Sequence, residues 1–303
     1  MTMVRFDMVN MFADQPFSGS RLAVVPEADG LPSAYLHTLA AEIGTPETVF
    51  VLPPEAAGAD YRVRVFTPAG ETPFGGHSAL GTAVTMVRLG LVEPGTVVQQ
   101  CGSRLTPVTA GPGGGTVAAA GPVEAREPDL ALLTAAAGIA PAAVVDAPVR
   151  TAGFGPAFHY LPVRPGAVEG ARPDLALMDE HGLPDVMVFS WDPAARVATA
   201  RVFAPGYGMP EDPACASNAL GLGEWLVAAG RLPEVDGTHE YVIAQGAGGP
   251  RGAVVTCTVT VEAGRVARAS AGGRVIPVAR GEICAGPPGG ARADRAGTAP
   301  GAR

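Results

Sequence analysis

The chain has 303 residues, 47% of them hydrophobic, and a formal net charge of -8. That apolar fraction excludes a mostly disordered protein, and the length suits two domains at about 100–200 residues each. The acidic balance argues against a nucleic-acid partner, whose usual footprint is a basic patch or stripe.

From the N-terminus, residues 1–10 alternate polar and apolar and contain Asp7, unlike the apolar core of a signal peptide. A first strand is expected over 4–12 and a helix over 33–43, stopped by Gly44. Strands follow over 48–52 and 61–66, then a helix over 78–89 with Gly90 as its stop, then a strand over 97–100. Residues 109–122 are rich in Gly, Pro and Ala and read as a domain junction. Beyond it come a helix over 130–137 closed by Gly138, strands over 186–190 and 197–203, and a helix over 217–229 closed by Gly230. Strands over 240–243, 254–261 and 274–278 complete the set. No uncharged apolar run reaches the 18 or so residues a membrane helix needs. The four cysteines (Cys101, Cys215, Cys257, Cys284) are widely spaced with no Cys-x-x-Cys pair, so neither a metal nor a redox motif is signalled. Free thiols in a reducing, cytoplasmic setting are the expectation.

The most informative feature is an internal repeat. Arg64-Val65-Phe66-Thr67-Pro68 returns as Arg201-Val202-Phe203-Ala204-Pro205, and Gly76-His77-Ser78-Ala79-Leu80-Gly81 as Ala216-Ser217-Asn218-Ala219-Leu220-Gly221. Each copy reads as strand, Pro- and Gly-rich loop, then helix. Both helices are apolar nearly all round, the mark of a buried helix. One buried helix per half, enclosed by antiparallel strands, is the simplest packing. The fold class is therefore α+β.

In each half the helix opens after a loop, leaving free N–H donors and a dipole that favour an anion. If the halves face each other, two such donor groups share one cleft: the backbone of Gly75, Gly76, His77 and Ser78, and that of Cys215, Ala216, Ser217 and Asn218. This suits a small carboxylate; equally, the loops could merely cap helices, with Ser217 as an ordinary N-cap. Glu211 and Asp212 precede the second helix and read alone as dipole partners. His77 alone reads as structural, and Glu47 as a surface turn residue.

Read together, these segments resemble the PhzF-type, phenazine biosynthesis-like isomerases, which share a fold with diaminopimelate epimerase. The resemblance rests on Val9-Asn10-Met11-Phe12, Pro46-Glu47-Thr48-Val49-Phe50 and Phe66-Thr67-Pro68-x-x-Glu71-x-Pro73-Phe74-x-Gly76-His77. It continues through Phe203-x-Pro205-x-Tyr207-Gly208, Glu211-Asp212-Pro213-Ala214, Gln245-Gly246 and Gly272-Gly273-Arg274-Val275. It implies two rolled antiparallel barrels, each around one central helix. Residues 1–115 with about 268–284 would form one domain and 116–267 the other, with 285–303 a disordered tail. It further implies that Glu47 moves a proton, that His77 and Asp212 assist, and that Ser217 and neighbouring backbone contact substrate. Gly19, Ser20, Gly75, Gly76, Ser78, Cys215 and Ala216 complete that contact set. No metal or organic cofactor is implied, and a homodimer is the implied assembly.

Four departures from the family pattern stand out: Gly19-Ser20 for Gly-Asn, Cys215-Ala216 for Thr-Gly, Ser78-Ala79 for Ala-Thr, and Pro250-Arg251-Gly252-Ala253 for Gly-Arg-Pro-Ser. They suggest a substrate other than the phenazine precursor. Cys215 also keeps a second reading open, an amino-acid racemase or epimerase; that chemistry uses a thiol at each helix N-terminus, and the first position here is Gly75. A non-catalytic small-molecule binder on the same scaffold is the third.

Overall fold

The computed structural model describes residues 2–68, 70–72, 78–249 and 251–285. The first half comprises β1 (Thr2–Met11), β2 (Ser20–Val25), α1 (Ser33–Ile43), β3 (Glu47–Leu52), β4 (Tyr61–Thr67), β5 (Gly70–Thr72), α2 (Ser78–Arg88), β6 (Gly95–Cys101), β7 (Arg104–Gly111) and β8 (Gly114–Ala120). The second comprises α3 (Leu130–Ala137), β9 (Arg150–Gly153), β10 (Ala157–Pro162), α4 (Ala167–Gly170), α5 (Leu175–Glu180), β11 (Val186–Asp192), β12 (Val197–Ala204) and β13 (Met209–Asp212). It ends with α6 (Ala216–Ala228), β14 (Gly237–Gln245), β15 (Ala253–Glu262) and β16 (Arg265–Ala285).

The strand pairings repeat between halves. β1–β2 is antiparallel, β2–β3 parallel, β3–β4 antiparallel and β4–β6 parallel. β9–β10, β10–β11, β11–β12 and β12–β14 follow the same sequence of directions. Both halves end in an antiparallel meander, β6–β7–β8 and β14–β15–β16. β8 and β16 join the halves through antiparallel pairing of Ala120 with Arg268 onward to Gly114 with Arg274. From Val275 to Ala285 the same strand pairs with β1, closing the first half as an 8-strand barrel. The second half closes less regularly: Val123 N–H donates to Gly153 O (2.9 Å) and Thr151 N–H to Arg126 O (2.8 Å). The Gly-rich stretch read as a junction thus contains the β7–β8 hairpin. The tail assigned from 285 begins at the last residue of β16; residues 286–303 lie outside the described ones.

α2 and α6 run inside these sheets, as their all-round apolar character predicts. Every residue of α2 from Ser78 to Val87 is buried, and in α6 only Ser217 and Ala228 are not. Both helices end alike: Gly90 (φ 71°) and Gly230 (φ 63°) are left-handed, with the N–H groups of Leu91 and Arg231 returning to Met86 O and Leu226 O. The second helix begins at Ala216 and ends at Ala228, each one residue earlier than the sequence suggested, with Cys215 rather than Ser217 as its N-cap.

Close approach dictates glycine within both helices. A Cβ on Gly81 would lie 2.5 Å from Met11 Sδ and 2.6 Å from Leu22 Cδ2. A Cβ on the equivalent Gly221 would lie 2.3 Å from Tyr160 Oη and 3.0 Å from Ala152 O. Alanine gains about 1 kcal/mol of helix propensity over glycine, against about 1–3 kcal/mol for overpacking. The Gly81 neighbours are flexible side-chain ends, whereas Tyr160 is fixed by a 2.7 Å bond to Asn218 O. Urea denaturation should therefore find Gly81→Ala near neutral and Gly221→Ala destabilised by about 1–2 kcal/mol.

Candidate active site

Glu47 is the first residue of β3, and its burial corrects the turn-surface reading: it is 7% exposed. Gly44 (φ 72°) ends α1, and the Thr45 hydroxyl donates to Glu47 O (2.7 Å) and lies 3.0 Å from Thr48 Oγ1. Parallel pairing then sets Glu47 beside Leu22 of β2. Ser20, at the start of β2, is buried. Gly19 before it is left-handed (φ 64°), and a Cβ there would fall 2.1 Å from Met11 O, so only glycine fits. Its N–H donates to Gly252 O (2.7 Å), while Arg251 donates to Gly19 O (2.9 Å) and Ser18 O (3.1 Å). The first loop is thereby tied to the β14–β15 loop of the other half.

On the second side, the acidic pair divides. Glu211 is engaged by Arg201 through two bonds, 2.8 and 2.7 Å, as Glu71 is by Arg64 in the first half (2.7 and 2.6 Å). The Arg64 and Arg201 guanidinium groups also lie over Phe66 and Phe203. Asp212 turns inward, 2% exposed; its Oδ1 accepts from Ala214 N–H (3.0 Å) and its carbonyl from Gln245 Nε2 (2.6 Å). Glu211 therefore serves as an ion-pair anchor rather than a free dipole partner. Cys215 is buried, and burial pushes its thiol well above the ordinary range, with the Asp212 carboxylate adding to the rise. Ala216 is buried and Ser217 half-buried. Ser78, in the place of Asn218, is fully buried with its hydroxyl unpartnered. Gly75, Gly76 and His77 lie outside the described residues.

The halves enclose a cleft of about 480 Å³. Its first-half wall includes Arg21, Thr45, Pro46 and Phe66, and its second-half wall Tyr207, Met209, Glu211 and Pro213. Glu47 and Asp212 are not among its lining residues, though each adjoins one in sequence. Ala216 and Ser217 line a smaller cavity, about 190 Å³, with Arg104 and Phe154. Among the described residues no three His, Cys, Asp or Glu side chains group to hold a metal ion. No described helix is long and apolar enough to cross a membrane.

Sequence reading overlooked Asp185. Phe66 pairs with Thr48, and Phe203 with Val186, so counting back one residue places Asp185 where Glu47 stands in the first half. Asp185 is fully buried; its Oδ1 accepts from His159 N–H (2.8 Å) and lies 3.3 Å from His159 Nδ1. Extending the Arg-Val-Phe repeat backwards by strand register is the signal that would have found it.

The phenazine biosynthesis-like protein family model matches residues 9–281. The chain belongs to this family. It is an enzyme, an isomerase. It is 30% identical over 250 residues to trans-2,3-dihydro-3-hydroxyanthranilate isomerase of Pseudomonas aeruginosa, covering 76% of this chain and 82% of that one. A PhzF-family protein of Bacillus anthracis superposes with a TM-score of 0.83 at 20% identity, over 94% of this chain and 100% of that one. A hydroxyproline epimerase from Agrobacterium vitis shares the fold at a TM-score of 0.61 and 16% identity, over 93% and 92% of the two chains.

Removing the Asp185 carboxylate leaves the His159 backbone N–H without its acceptor. Asp185→Ala should therefore cost about 1–3 kcal/mol, read as a lowered urea midpoint with an unchanged slope.

Proposed function

We propose that this isomerase moves a proton between positions of a small carboxylate-bearing metabolite, without metal or organic cofactor, in a specialised biosynthetic route. Glu47 is the proton carrier, with His77 and Asp212 assisting. The observation that supports this reading is the burial of two carboxylates, Glu47 at the head of β3 and Asp212 shortly before α6, one in each half. A carboxylate that can give and take a proton at one site performs both steps of such a shift. The α6 N-terminus, through the backbone of Cys215, Ala216 and Ser217, anchors the substrate carboxylate. Gly75, Gly76, Ser78, Gly19 and Ser20 supply the remaining contacts. The Ser20 and Ala216 departures support a substrate different from that of the Pseudomonas relative. A cytoplasmic homodimer accompanies this proposal.

Glu47→Gln should abolish turnover while ligand affinity stays within about tenfold, roughly 1.4 kcal/mol. In deuterium oxide the wild type should place deuterium on a substrate carbon and the variant should not; turnover near normal in the variant would remove Glu47 from the mechanism.

The racemase reading draws on Cys215 at the α6 N-cap. Burial keeps its thiol protonated, and Gly75 supplies no partner thiol for a two-base exchange. Cys215→Ser should therefore retain most of the activity. A loss of about a thousand-fold, the scale of a missing catalytic group, would instead favour thiol chemistry.

A further inference from the structure

Gly44-Thr45-Pro46-Glu47-Thr48 has a counterpart in Gly182-Leu183-Pro184-Asp185-Val186, aligned by the Thr48–Phe66 and Val186–Phe203 pairs. Both stretches follow a helix, open on a left-handed glycine (φ 72° and 61°) and run into a strand. In both, proline fixes φ just ahead of the acid. The difference lies in the residues on either side of the Pro-acid pair: two threonines in the first half, leucine and valine in the second. All four are buried, Leu183 being the most exposed at 7%.

The turn itself therefore does not require hydroxyls. Burying a hydroxyl is unfavourable unless it is bonded, and Leu183 and Val186 show that apolar side chains fill the same places. In the first half the two hydroxyls form a directed chain. Thr45 gives its one proton to Glu47 O (2.7 Å), so at its 3.0 Å contact with Thr48 Oγ1 it accepts, and Thr48 is the donor. The antiparallel register of β3 with β4 starts only at Thr48. Ahead of that ladder, the Glu47 carbonyl is held by the Thr45 side chain. Asp185 is held in another way: its carboxylate accepts the His159 N–H (2.8 Å). The threonine chain grips the backbone of its acid and makes no use of the carboxylate.

We infer that Thr45, backed by Thr48, is a positioning residue for Glu47, fixing the backbone from which the proton carrier projects without engaging its carboxylate. This rests on the proposed role of Glu47 and deepens it. A misplacement of about 1 Å at a reacting group can cost about a hundredfold in rate, so a clamp on this backbone bears on proton transfer. Thr45 itself moves no proton.

Carbon NMR of the Glu47 carboxyl, isotope-labelled and assigned by its loss in Glu47→Gln, tests this without any substrate. The wild type should show a single sharp line. Thr45→Val, which keeps the shape and removes the donor, should split that line or broaden it at least about twofold as the side chain samples several orientations. Thr45→Ser, which keeps the donor, should restore it. The double variant Thr45→Val/Thr48→Val copies the apolar pair of the second half and should keep the wild-type urea midpoint while its Glu47 line stays split or broad. A line unchanged in Thr45→Val, or already broad in the wild type, overturns the proposal. So does a double variant whose midpoint falls well below that of the wild type, since the hydroxyls would then hold the fold rather than Glu47. Normal turnover by Glu47→Gln would sink the Glu47 reading instead, and the two failures are distinguishable because the line is read with no ligand present.

Discussion

Everything in this molecule depends on holding a helix inside a rolled sheet. A helix enclosed on every side can be placed only as accurately as its nearest neighbours allow. Here those neighbours are the first two strands of each half. Gly81 and Gly221 let the backbone approach them, and Gly223 admits the Tyr241 hydroxyl, to which a Cβ would come within 2.6 Å. Tyr160 and Tyr241 then bond to the carbonyls of Asn218 and Ala219, fixing the first turn of α6. Packing at these glycines therefore sets where the N–H groups of the α6 N-terminus sit, and with them the anchor of the proposed function.

The halves share a frame and differ in its fittings. The Arg64–Glu71 and Arg201–Glu211 clamps are the same device, each holding the short strand that leads to the buried helix. The sheet-to-helix ion pair is present twice with its charges exchanged: Asp7 of β1 meets Arg88 of α2 at 2.8 Å, and Arg150 of β9 meets Glu224 of α6 at 2.8 Å. Glu47 and Asp185 occupy matching places, and Asp185 accepts the His159 N–H through Oδ1. A duplicated frame with unequal fittings fits the proposed single site better than one site in each half.

The repeat, the two buried helices and their glycine stops were legible because each rests on local pattern: apolar character on all faces, then Gly90 or Gly230. Burial of Glu47 was not, since it comes from pairing with β2, a contact far along the chain. The N-cap at Cys215 was missed by two residues because serine is the better capping type and the sequence offers one at 217. The cleft, built from both halves, is legible only in three dimensions.

The long last strand has a consequence for how the protein is made. β1 leaves the ribosome long before its partner over Val275–Ala285. Throughout synthesis the first barrel therefore has an open seam, with the outer edge of β1 free to pair with another nascent chain. The second half, whose strands β14 and β15 precede β16 directly, can assemble while that seam is still open. Closure of the first barrel waits for β16, made after every other strand of both halves.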